Sequence, residues 1–520
     1  MNYTIEELFQ EDFEIEPAFN INKEPFLYRA VCTSYFPKEF PPLFTTKEFG
    51  RYILKEIKEN TLERAKEKKV TKYYITRNNN TLRMLSIPHP LPYSNVCKIL
   101  YQNWEYINYS IGKKWNHKKI SLNIPRECED SGRLVPSEYP SDKKIDIGLK
   151  LNLLRNCRYV VKSDIKNCYP SIYTHALTWA LKGKETAQTE RNNKDWINGL
   201  DTAVRFMNDN QSIGIPISPD ISTILFELVF SNIDKELLEK GYHYCRYIDD
   251  IYCPCETKEK AEDFISILTK QLNDFNLKIN DNKTVILETP IALNDEWVRI
   301  VQKNDIPNFI DDSNIRKIIG FLDEAVVLFR KFNNASILKY VMKQIKYNDI
   351  RSEDAFLLLE NYIQNLVVLY PFLLQQLELL YTKNQCFGDK ICLQHLLETI
   401  IKNPQNQIKS DALVWCFYYA LKYKINLTDI IWADIEKIDD SLGLLMAFVY
   451  YKHAQISNKQ EILDGITKKA QISDDWLLRY TVLPKEELKD DFLKCLKNQG
   501  ISFIDKKLIK DWEKTPTKNY

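Results

Sequence analysis

Histidine is scarce in this sequence. The six present never stand three or four residues apart, so a histidine-based metal site on a helix is not expected. Glycine is sparse too, at 13 of 520 residues, while runs of Leu, Ile, Lys and Glu point to much helix. A net charge of only +1 excludes a chain that coats nucleic acid through bulk positive charge. No stretch reaches the uncharged apolar length of a membrane helix. The opening "MNYTIEELFQEDFEIEP" is acidic and lacks the basic start and apolar core of a secretion signal. These absences lead us to expect a cytoplasmic protein with no membrane partner. The twelve cysteines are scattered, and the one close pair, Cys253 and Cys255, has C-P-C rather than C-x-x-C spacing. Reduced, buried thiols are therefore expected.

What is present divides the chain. Its length exceeds one hydrophobic core, so two or three domains are expected. Residues 1–150 mix short helical patterns with proline-rich connectors such as "FPKEFPPLF" and "IPHPLPYS". The segment 51–77 carries nine Lys/Arg against four Glu, and "GKKWNHKKI" adds four lysines around an aromatic. Such runs suit a solvated helix face, and the interleaved aromatics also suit nucleic acid. From 158 to 290 strand-like and helical runs alternate, as in an α/β or α+β sheet domain. Beyond about residue 305 nearly every segment reads as an amphipathic helix, with no fixed period.

Within the alternating region, "HYCRYIDDIYCPC" sets Asp249 and Asp250 side by side between aromatic, β-branched and cysteine residues. A turn can hold two aspartates without further meaning. At the mouth of a buried hairpin, however, like charges this close raise one another's pKa unless a cation offsets them. Mg²⁺ is the natural cation, because it binds through one or two carboxylates plus substrate phosphates. A two-ion phosphoryl-transfer site calls for a third carboxylate, and Asp164, ending the β-rich "RYVVKSD", is the candidate.

The runs "SDIKNCYPSIYTHAL", "GIPISPDISTILFELVF", "RYIDDIYC" and "LKINDNKTVIL" have the order and spacing of palm motifs A to D of reverse transcriptases. Over about residues 70–290 the chain resembles that family. In "NCYPSIYTHALTWALKGK", "RYIDD" and its helical C-terminal half, it most resembles the bacterial abortive-infection, defence-associated reverse transcriptases of the AbiK type. The resemblance implies an α+β fold of fingers and palm, with a βαββαβ-like palm sheet, followed by an all-α, HEAT-like irregular helical-repeat domain. The implied boundaries are 1–150 for the N-terminal and fingers region, 151–305 for the palm and 306–520 for the helical domain.

It also implies roles. Asp164 and Asp249 would hold two Mg²⁺ ions, with Mn²⁺ able to substitute, the Ile165 carbonyl an extra ligand and Asp250 a secondary carboxylate. Tyr169 stands at the steric gate against a 2′-hydroxyl, favouring dNTPs. Gly214 and Gln211 belong to the motif B loop, where Ser218 replaces the family's second glycine. Lys283 matches the motif D lysine near the leaving group. Arg83 looks like the fingers arginine that grips the triphosphate through its planar fork, with Lys72 and Arg77 as weaker candidates for that surface.

No basic thumb domain or RNase H-like constellation is apparent. The AbiK type implies instead untemplated, protein-primed polymerisation whose single-stranded DNA stays attached to a homo-oligomeric enzyme that stops phage propagation. Tyr35 and the terminal Tyr520 are the candidate priming residues. Two alternatives remain open: copying of a dedicated non-coding RNA, and a non-catalytic helical-repeat interaction protein.

Overall fold

A computed structural model of the chain describes residues 18–78, 81–116, 119–126, 132–135, 140–189, 195–347, 349–382 and 390–514. Two compact units emerge. The first comprises residues 1–38, 46–70 and 86–293, and the second comprises 39–45, 71–85 and 294–520. This differs from the expected division at 150 and 305. Residues 71–85, assigned from sequence to the N-terminal region, join the helical unit instead.

The reason is a set of backbone-directed hydrogen bonds within that second unit. Its hairpin pairs β1 (Thr71–Thr76) with β2 (Leu82–Ile87). The Thr76 N–H and hydroxyl donate to Asp411 at 2.7 and 3.0 Å, and the Tyr74 N–H donates to Ser410 Oγ at 2.7 Å. The Trp415 indole donates to the Glu39 carbonyl at 3.1 Å. The strand thus meets the start of the helix Ser410–Lys422, where buried polar groups would otherwise lack partners.

Around the hairpin the unit is built from helices of unequal length, from the 5-residue Leu377–Tyr381 to the 18-residue Ile315–Phe332. The central pair, Ser410–Lys422 and Ser441–His453, is apolar nearly all round, as a helix buried on all sides must be. Their close approach needs Gly443, where an added Cβ would lie 2.7 Å from Leu413 Cδ1. Asp440 caps the second helix by accepting from the Gly443 N–H at 2.6 Å and from the Ser410 hydroxyl at 2.5 Å. It is 3% exposed, and burial pushes its carboxyl up to about 7. A carboxyl raised this way contributes stability below its ordinary range near 3.8 and loses it as pH rises through 7. Asp440→Asn keeps a capping oxygen and abolishes the titration. The wild-type melting temperature is therefore expected to fall more steeply than the variant's between pH 5 and pH 8, measured by thermal denaturation.

The first unit holds a four-stranded antiparallel sheet in the order β4–β5–β3–β6. The strands are β3 (Tyr159–Ser163), β4 (Cys245–Tyr247), β5 (Asp250–Cys255) and β6 (Val285–Glu288). Register places Ser163 opposite Ile251 and Lys162 opposite Val285. The long helix Ile221–Glu239 buries almost its whole length in this unit, and Lys258–Asp274 packs on β3 and β5. Among the described residues the cysteines are free thiols, and no helix is long and apolar enough to cross a membrane.

Candidate functional site

The sheet register brings the ends of β3 and β5 side by side, and with them the carboxylates. β4 and β5 are joined by a two-residue turn, Ile248–Asp249, with Tyr247 opposite Asp250. Asp164 follows directly on β3, whose last residue is paired with Ile251. Burial pushes the Asp249 carboxyl up to about 6, with the charges of Asp250 and Asp164 adding to the shift. Asp250 is raised as well, first by burial and then by Asp164. Asp249 and Asp250 thus stand at the tip of the sheet, with the Asp164 charge close enough to oppose their ionisation.

Two residues just before β6 hold the first of the three acids. Asp164, 6% exposed, accepts from Asn280 Nδ2 at 2.7 Å and from Lys283 Nζ at 2.8 Å, while its carbonyl accepts from the Asn280 N–H at 2.8 Å. Ile165 bridges to Ile279, which fixes this strand end against the 278–283 segment. The salt bridge to Asp164 raises the Lys283 pKa. Lys283 thus lies against the carboxylates themselves. Asn280 was not singled out in the sequence, although it sits three residues from the lysine in the same motif. Lys150 is a further cation facing Asp250, and its ammonium stands 5.7 Å from the rings of Tyr247 and Tyr252.

The donor set is oxygen only, the chemistry a hard divalent cation takes, and the acids' mutual repulsion is what such a cation relieves. Among the described residues no three His, Cys, Asp or Glu side chains close into a ready-made cage. The Lys283 ammonium, on a side chain 62% exposed, stands at the second oxygen of Asp164 where a cation is called for.

The motif B loop packs on the turn that follows Asp164. The Gly214 N–H donates to the Ile172 carbonyl at 2.8 Å, and the Ile215 N–H donates to the Tyr169 carbonyl at 2.9 Å. Gly214 has φ +96°, and a Cβ there would lie 3.3 Å from the Pro170 carbonyl, so glycine permits both the turn and the contact. The loop thereby positions Tyr169, whose ring packs 5.7 Å from Phe226 with its hydroxyl 3.4 Å from Thr223 Oγ1. Gln211 is exposed; its side chain donates to the Asp209 carbonyl at 3.4 Å and its backbone N–H to the Asn208 carbonyl at 2.8 Å.

Ser218 adopts φ +118°, a conformation suited to the glycine it replaces. Its buried hydroxyl finds no partner among the described residues. Ser218→Gly removes both costs, and is expected to raise stability by about 1 kcal/mol, measured by chemical denaturation.

Beneath the aspartate turn lies a network that sequence reasoning missed. Arg246 on β4 is 1% exposed and forks onto two buried carboxylates. It donates to Glu227 at 2.5 and 3.0 Å, to Asp234 at 2.7 and 3.0 Å, and to the Ile248 carbonyl at 3.3 Å. Tyr244, Trp115 and Ser121 complete the shell through Asp234 and Glu227. Ile248 itself has φ +53°, a genuine outlier for a β-branched residue. The strained turn presenting Asp249 is thus held from below by a fully buried guanidinium.

Other candidates fall elsewhere. Lys72 lies on β1, Arg83 on β2 and Arg77 just past β1, all in the second unit. Tyr35 is a correction: it is fully buried, stacked 4.1 Å from Tyr93, and its hydroxyl donates to the Pro88 carbonyl. So placed, it presents no hydroxyl for priming. Tyr520 lies outside the described residues.

Residues 75–344 match the family model described as reverse transcriptase (RNA-dependent DNA polymerase). No curated protein matches the chain. Among solved structures, similarity is found to an apo telomerase from Candida tropicalis truncated of its C-terminal domain, at 14% identity over 48% of this chain and 57% of that one, TM-score 0.30. A telomerase from Candida albicans in complex with a fragment of telomeric RNA is similar at 11% identity over 80% of this chain and 65% of that one, TM-score 0.29. The present chain therefore spans less than two thirds of either chain's length.

Proposed function

The chain belongs to the reverse transcriptase (RNA-dependent DNA polymerase) family, and on that premise we propose that it polymerises dNTPs into DNA at the tip of the β3–β5 sheet, primed by a protein hydroxyl and without a template. The observation supporting the reaction is the meeting of Asp164, Asp249 and Asp250 at one sheet end, where burial and neighbouring carboxylate charge raise the pKa of Asp249 and Asp250. Asp164, Asp249 and the Ile165 carbonyl would hold two Mg²⁺ ions, or Mn²⁺, with Asp250 as a secondary carboxylate. When bound, such ions neutralise the charge that develops on the attacking and leaving oxygens.

The remaining steps fall to side chains. Lys283, already among the carboxylates, would turn to the pyrophosphate leaving group once cations take its place at Asp164. Tyr169, held by the Gly214 loop, would exclude a 2′-hydroxyl. Gln211 would steady the nucleotide. The biological reading is anti-phage defence of the AbiK type, carried out by a cytoplasmic homo-oligomer.

The test is to incubate the purified full chain with Mg²⁺ and labelled dNTPs after RNase treatment, then resolve it on a denaturing gel. Label that migrates with the protein supports protein-primed, untemplated synthesis. Incorporation that needs added RNA would replace that reading with a templated polymerase, and a product complementary to a co-purifying RNA would identify its template.

A further inference from the structure

A second feature lies in the helical unit and is independent of the polymerase reading. The helices Ser441–His453 and Asp491–Asn498, the loop 500–504 and the start of the helix Lys506–Lys514 enclose a cavity of about 280 Å³. Its charged lining is Lys452, Lys497 and Lys506, with His453 beside them and no carboxylate among the described lining residues. The neighbouring carboxylates are engaged: Glu513 Oε1 lies 2.8 Å from His453 Nδ1, and Asp505 Oδ1 accepts from the Lys507 and Leu508 N–H groups at 3.0 Å.

Three ammonium groups around one hollow repel each other. Lys497 shows the effect: burial first, then Lys506 and Lys452, hold its pKa below the usual lysine value, with Glu486 acting the other way. Lys497 is fixed in place by donating to the Leu483 carbonyl and by lying 5.4 Å over the Tyr480 ring. Lys506 occupies the first turn of its helix, whose Lys507 and Leu508 N–H groups already donate to Asp505 Oδ1. Gly500, at φ +70°, has nothing within 4 Å of where a side chain would start, so the loop leaves the space open. Three cations gathered around a cavity whose described lining holds no carboxylate are stabilised when an anion enters.

We propose that this cavity binds a phosphate group through Lys452, Lys497 and Lys506, presented either by the backbone of a single-stranded polynucleotide or by a free oligophosphate. The volume lies just below the range of drug-sized ligand pockets, which suits one phosphate and its immediate substituent.

The test uses the full chain in EDTA, so that no metal-dependent binding at the palm contributes. Fluorescence anisotropy with a labelled single-stranded oligonucleotide and calorimetry with sodium tripolyphosphate are compared between wild type and K452Q/K506Q. Both substituted lysines are exposed, and matched melting curves check the fold. The expected result is about a 10-fold or greater loss of affinity for one probe, since each cation–phosphate contact is charge-assisted. For the oligonucleotide, the slope of log K against log salt should also shrink by about 1.4, for two lost phosphate contacts. Loss confined to the oligonucleotide assigns the site to a backbone, and loss confined to tripolyphosphate assigns it to a free oligophosphate. Unchanged affinity and slope in the double variant, or no binding of either probe by wild type, overturns the proposal.

Discussion

Asp249→Asn is expected to lower dNTP incorporation by at least about 10³-fold, the scale on which a preorganised electrostatic group counts in a transition state. It should do so while leaving the protein at least as stable as wild type. The two effects share one cause. At neutral pH the wild-type carboxylate ionises against burial and against Asp250 and Asp164, which is why its pKa stands near 6. The sign follows from the direction of the shift. A raised carboxyl contributes stability below its ordinary value and loses it as pH rises through about 6, so the apoprotein carries the cost at pH 7.5. Asparagine removes that cost and with it the charge a divalent cation needs. Incorporation assays paired with thermal melts at pH 7.5 check both halves, and an active Asp249→Asn enzyme would remove the turn from the chemistry.

The second large effect concerns Arg246. Arg246→Met leaves Glu227 and Asp234 buried without their counter-ion, which costs about 3–5 kcal/mol for a broken buried pair. Soluble yield and melting temperature should fall sharply. The triple variant Arg246→Met, Glu227→Gln, Asp234→Asn removes all three charges and should recover part of that stability, because no buried charge is then left without its counter-ion. It does not restore the donor to the Ile248 carbonyl, so the strained turn loses its support. Incorporation should therefore remain low in a folded protein, with kcat reduced more than KM for dNTP. A triple variant with wild-type kcat would make Arg246 a matter of stability alone.

These two residues also mark the boundary of what the sequence discloses. Asp164, Asp249 and Asp250 are legible because a sheet carries chemistry at strand ends, and strand ends leave local signals: a β-rich run, a turn, an acid; Lys283 is reached only through the resemblance to motif D. Arg246 is two residues before the turn, yet nothing local reveals it. Its partners lie 12 and 19 residues back, on a helix that reads as an ordinary amphipathic segment, and three buried charges run against the expectation that charge faces water. The β1–β2 hairpin is hidden for a related reason. Its partners at Ser410 and Asp411 are more than 330 residues away, a separation no periodicity records. Tyr35 fails in the opposite sense, since the resemblance that makes it a priming candidate says nothing of the Tyr93 ring and the Pro88 carbonyl that the fold places against it. Ser218 shows backbone demand outlasting composition, because the loop keeps a glycine-like φ where the glycine is gone.

The central claim is that this palm sheet polymerises deoxynucleotides with divalent cations at Asp164, Asp249 and Asp250. Its most direct test is incorporation of labelled dNTPs by the purified full chain, with Mg²⁺ or EDTA, in the presence and absence of an RNA template annealed to a DNA primer. The account predicts Mg²⁺-dependent incorporation without added nucleic acid, lost in EDTA and in Asp249→Asn. Absence of incorporation under every condition, from a folded wild-type protein, would contradict it.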